Sequence, residues 1–153
     1  MSKKIKISVV GIGLMGLQHI KAIHKSKLAS LHSIVEIKKT GIELSKKFNV
    51  PLYKNIKTLL AKDKPDAVII ATPNALHESD TVRFLKYKIP VLLEKPISDN
   101  IKSAKKIINS ARSNKTGIFV FKNCIVSVSC KTLGVAIITA SGLFFANKIL
   151  IFL

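Results

Sequence analysis

Three clusters in this chain of 153 residues have the residue types and spacing to do chemistry. The first is Gly11-Ile12-Gly13-Leu14-Met15-Gly16, a G-x-G-x-x-G. In such a loop Gly11 permits a tight turn, Gly13 lets a pyrophosphate approach the backbone, and Gly16 lets a helix pack closely on a strand. The N–H groups at the helix start then bind phosphate. Glu36 follows Gly16 by twenty residues, the separation at which a carboxylate accepts hydrogen bonds from an adenosine ribose. A carboxylate there repels a 2′-phosphate and favours NAD, whereas the neighbouring Lys38 and Lys39 could pair with one and leave NADP open. Without a ligand, Glu36 would be a surface carboxylate beside two lysines. The second cluster runs Ala71-Thr72-Pro73-Asn74-Ala75-Leu76-His77, and the third is Glu94-Lys95-Pro96. His19, His24 and His32 have no carboxylate or cysteine at metal-ligand spacing, so no metal is expected.

The elements that must position these clusters alternate. Residues 5–10 are apolar in alternation and end at Gly11, as a central strand would; residues 15–27 then carry Leu17, Ile20 and Ile23 or His24 at helical steps. A short apolar run at 34–37 precedes helices at 40–48, closed by Pro51, and at 56–62. Residues 66–71 hold five consecutive apolar residues, apolar on both faces as in a covered parallel sheet. A helix over 77–87 and a strand at 90–93 follow. Ser98 or Asp99 would cap a helix whose Ile101, Ala104, Ile108 and Ala111 form one face, and residues 117–120 are the last clear strand. Parallel neighbours need crossover connections, so the fold class is α/β, a doubly wound parallel sheet of Rossmann type with helices on both faces.

The glycine loop with His19, the cluster ending at His77 and Glu94-Lys95-Pro96, in this order and spacing, resemble the NAD(P)-dependent oxidoreductases of the glucose-fructose oxidoreductase, inositol dehydrogenase and rhizopine catabolism family. The resemblance covers residues 4 to about 120. It implies that Thr72, Pro73 and Asn74 line the ribose and nicotinamide side of the cofactor, with His77 beside them. Glu94, Lys95 and Pro96 would lie at the nicotinamide end, with Lys95 as the active-site lysine. An ammonium there could stabilise developing alkoxide as hydride moves. The family's second domain, which carries substrate contacts, an acid/base histidine and usually the subunit interface, has no counterpart in this sequence. The expected function is therefore that of a dinucleotide-binding domain from an oxidoreductase acting on a polyol, sugar or inositol-like alcohol. It would be inactive unless that second domain is supplied.

Composition bounds the alternatives. The net charge of +18 comes from 26 basic against 8 acidic residues, yet only Arg83 and Arg112 are arginine. Nucleic-acid recognition favours the forked guanidinium, so scattered lysines read as a solvated face and no nucleic-acid partner is expected. Residues 1–120 form the dinucleotide-binding unit. Residues 121–153 form an apolar tail without acids, 21 of its 33 residues being apolar. Three accounts of it stay open: an out-of-frame translation, a membrane anchor made marginal by only 14 uncharged residues before Asn147, and an element packed on the domain. Cys124 and Cys130, with a lysine-rich start lacking a signal peptide, suggest a reducing cytoplasm. The oligomeric state stays open. Two other functions compete: an NAD sensor or partner-dependent binding module, and a basic membrane-associated protein.

Overall fold

The computed structural model describes residues 3–122 and the backbone of two further strands at 134–139 and 142–146. Six parallel strands, β1 (Ile5–Val10), β2 (Ala29–Val35), β3 (Leu52–Tyr53), β4 (Ala67–Ile70), β5 (Val91–Leu93) and β6 (Ile118–Lys122), lie in the order β3-β2-β1-β4-β5-β6. Antiparallel β7 (Gly134–Thr139) and β8 (Gly142–Ala146) extend the sheet beyond β6. Both lie within the tail considered as a membrane anchor. Cys124, Cys130 and Lys148 fall outside the described residues. No helix among the described residues is long and apolar enough to cross a membrane.

The crossovers are α1 (Leu14–Lys25), α2 (Thr40–Phe48), α3 (Ile56–Lys62), α4 (His77–Lys86) and α5 (Ile101–Ser113). Strand alternation divides the core in two. Val10, Val68, Ile70, Val91 and Leu93 face one layer with Leu59, Phe84 and Ile107. Val9, Ile34 and Ile69 face the other with Ile20 and Ile23. Successive residues of one strand thus serve opposite layers, which is the doubly wound arrangement.

Several elements differ from expectation. Strand β2 starts at Ala29 and ends at Val35, not at 34–37, because its polar members are satisfied inside the sheet: Ser33 and Ser8, both fully buried, share a 2.7 Å hydrogen bond. In α1 the buried face is Gly16, His19, Ile20 and Ile23, while His24 is exposed. In α5 the buried residues are Ile107 and Ala111, and Ile101 is 76% exposed. Asn100, rather than Ser98 or Asp99, caps α5: its side chain accepts the Ser103 N–H at 2.8 Å. Asp99 instead accepts from the Asn100 amide at 2.7 Å.

Candidate cofactor cleft

Strand order reverses between β1 and β4, and ligands of open parallel sheets bind beyond the carboxyl ends of the strands at such a switch point. A cleft of about 660 Å³ opens there. It brings together all three sequence clusters, with Gly11 to Met15, Glu36, Thr72 to Asn74, His77, Glu94 and Lys95 on its walls. Pro96 lies just beyond Lys95, outside the wall.

At Gly11 and Gly16 carbonyl oxygens leave no room for a side chain. Gly11 turns the chain off β1 at φ +81°, and a Cβ on it would lie 2.7 Å from the Ala71 carbonyl oxygen. A Cβ on Gly16 would collide with the Gly11 carbonyl oxygen. The space above Gly13 is open, with nothing within 4 Å of where its Cβ would be. Helix α1 has Gly13 as its N-cap and no side-chain cap, so its first-turn N–H groups remain available to a ligand.

Glu36 stands just past the end of β2. Its carboxylate accepts the N–H of Ile12 at 3.1 Å on one oxygen, and those of Ile37 and Lys38 at 2.8 and 3.1 Å on the other. The acidic side chain is therefore tied to the glycine loop itself. Leu14 and Ile37, 78% and 81% exposed, form apolar rims of the same cleft.

The opposite end is held by buried polar contacts. His77, 1% exposed, places its ring nitrogens 2.8 Å from the Pro96 carbonyl oxygen and 2.9 Å from that of Thr72. Glu94, 5% exposed, takes His19 Nε2 at 2.6 Å on one oxygen and the Lys95 N–H at 3.3 Å on the other. The His19 ring meets that of Phe121 edge to face at 5.2 Å. Lys95 itself is exposed on the cleft wall.

Asp80 and Arg83 also line the cleft, and sequence reasoning passed over both. Asp80 accepts the Thr72 hydroxyl at 3.0 Å, and burial pushes its carboxyl above the usual range against the opposing pull of that bond and of Arg83. Its position three residues after His77 was the available signal, since helical residues three apart share a face. Among the described residues no cluster of three or more metal-ligating side chains occurs.

Residues 5–122 match the model of an oxidoreductase family with an NAD-binding Rossmann fold. An uncharacterized oxidoreductase of Escherichia coli, YgjR, is 33% identical over 119 residues, which is 75% of this chain and 36% of that protein. Inositol 2-dehydrogenase of Corynebacterium glutamicum is 33% identical over 112 residues, 71% of this chain and 33% of its own. The chain thus spans about a third of the length of these curated relatives. Among solved structures, the WlbA dehydrogenase of Bordetella pertussis in complex with NADH and UDP-GlcNAcA superposes with a TM-score of 0.73 at 23% identity, over 77% of this chain and 37% of that one. At that identity the likeness is one of fold.

Proposed function

The chain belongs to the oxidoreductase family with the NAD-binding Rossmann fold, and on that premise we propose that its cleft holds NAD for hydride exchange with a polyol, sugar or inositol-like alcohol. One observation carries this reading: an open cradle above Gly13 and a carboxylate at the end of β2 face the same cleft, tied by the bond from Ile12 to Glu36. The residues fit the cofactor. The α1 amides would hold the pyrophosphate, Glu36 the adenosine ribose, and Thr72 to Asn74 the nicotinamide side. When bound, the nicotinamide supplies the hydride acceptor. Lys95, exposed on the cleft wall, orients the alcohol oxygen and stabilises charge developing on it. The inositol 2-dehydrogenase relative supports the substrate class.

Oxidising an alcohol also needs an acceptor for the hydroxyl proton. Glu94 and Asp80 are poor ones, since both oxygens of Glu94 are engaged and Asp80 is tied to the Thr72 hydroxyl, and Glu36 stands at the ribose end. The base is therefore assigned to residues beyond this cleft, as a second domain would supply, and the chain by itself binds the cofactor without turning over.

A second reading, NADP, is favoured by one observation: Lys38 and Lys39 are exposed beside Glu36. Titration decides between them. NADH should bind at least tenfold more tightly than NADPH, and Glu36→Ala should cut NADH affinity about tenfold to a hundredfold, since hydrogen bonds to a charged group are worth about 1.5–3 kcal/mol. Equal or tighter NADPH binding would overturn the preference for NAD.

A further inference from the structure

The segment Glu94-Lys95-Pro96 leaves β5 with its two flanking residues fixed and its middle one free. Glu94 is gripped through its carboxylate by His19, which stands on α1 one turn beyond the glycine loop. Pro96 is gripped through its carbonyl by His77, which opens α4. A carbonyl only accepts, so the imidazole is the donor there. The two helices belong to opposite layers: α1 contributes Ile20 and Ile23 to one core and α4 contributes Phe84 and Leu85 to the other. Both histidines are at least nine-tenths buried, at 4% and 1% exposure. Burying an imidazole is costly unless its polar atoms are paired, and here the hydrogen-bond partners of the two rings, Glu94, Pro96 and Thr72, all lie in cleft loops. The other His77 nitrogen faces the Thr72 carbonyl at 2.9 Å; a neutral imidazole has a single N–H to donate, so the ring, lodged between the loop after β4 and the loop after β5, pairs with one of these two carbonyls at a time.

We propose that His19 and His77 are positioning residues that clamp the Lys95 loop from the two faces of the sheet and set the nicotinamide end of the cleft. This rests on the cofactor reading above and deepens it. The histidines act through Glu94, Pro96 and Thr72. At the adenosine end, the Glu36 carboxylate is held by the N–H groups of Ile12, Ile37 and Lys38 and by neither histidine.

That separation supplies the test. The full chain is titrated calorimetrically with NADH and with ADP-ribose, which lacks the nicotinamide, for the wild type, His19→Ala, His77→Ala and the donor-retaining His19→Gln and His77→Gln. The wild type should bind NADH more tightly than ADP-ribose. The alanine variants should reduce that advantage about tenfold while ADP-ribose affinity stays within twofold, and the glutamine variants should recover at least part of it. If an alanine variant does not fold, the matching glutamine variant must fold and show an intermediate advantage. An advantage unchanged in both alanine variants, or an equal loss of both ligands that glutamine does not mend, overturns the clamp. A wild type that binds both ligands equally overturns it too while leaving dinucleotide binding intact. Binding of neither ligand removes the cofactor reading and the clamp together.

Discussion

The Gly11 carbonyl oxygen sits where a side chain at position 16 would begin, so Gly16→Ala must push α1 away from β1. Overpacking of this kind costs about 1–3 kcal/mol; urea unfolding should show that loss, and an unchanged midpoint would mean the helix yields freely. Asp80 provides a pH-dependent case. Burial raises its carboxyl above the usual range, so the folded state favours the protonated form, and ionisation costs stability as pH rises from the unfolded to the folded value. Above both values the whole cost is present; below both it is gone. Asp80→Asn, whose amide oxygen can still accept the Thr72 hydroxyl, should therefore raise Tm at neutral pH and lose that gain in acid below the ordinary carboxylate range. A gain that persists there would refute the assignment. At this scale the glycines and Glu36 were legible because backbone geometry and ligand chemistry dictate their types at short range. The burial of His19 and His77 was not: His19 meets Glu94 across 75 residues and His77 meets Pro96 across 19.

Strands and helices were legible where one residue class dominates. The all-apolar β4 and the alternation of β1 needed no partner to be recognised. Strand β2 hid its first half behind Ser30, His32 and Ser33, and the Ser8–Ser33 bond accounts for the fully buried Ser33 hydroxyl inside the sheet. In α5 two apolar seams compete, and packing selects Ile107 and Ala111 over Ile101. Its cap is ambiguous in the sequence for a local reason: three successive residues, Ser98, Asp99 and Asn100, all have capping side chains, and only the backbone decides which one stands at the helix start. Asn100→Ala should accordingly cost about 1 kcal/mol, and Asp99→Ala no more than about 0.5 kcal/mol. Thermal unfolding of the two variants checks this, and the reverse ranking would contradict the cap.

For the molecule as a whole, alternating elements were enough to expect the doubly wound sheet, and the strand-order reversal at β1 and β4 places the cleft where the three clusters converge. Composition was less informative. The +18 charge suggested several partners, whereas the walls of the cleft combine Lys38, Lys54, Arg83 and Lys95 with Glu36, Asp80 and Glu94, a mixture suited to a ligand with both phosphates and hydroxyls. The apolar tail could not be read from periodicity, and its strands β7 and β8 pair antiparallel beyond β6, a continuation that no crossover pattern announces. Calorimetric titration of the full chain with NADH, side by side with Gly13→Val, which fills the open space above Gly13, tests whether this cleft is a dinucleotide site built on the glycine loop. One NADH per chain should bind to the wild type, and the valine variant, still folded by circular dichroism, should lose at least tenfold in affinity. Absence of binding to the wild type, or equal binding by the two, would contradict such a site.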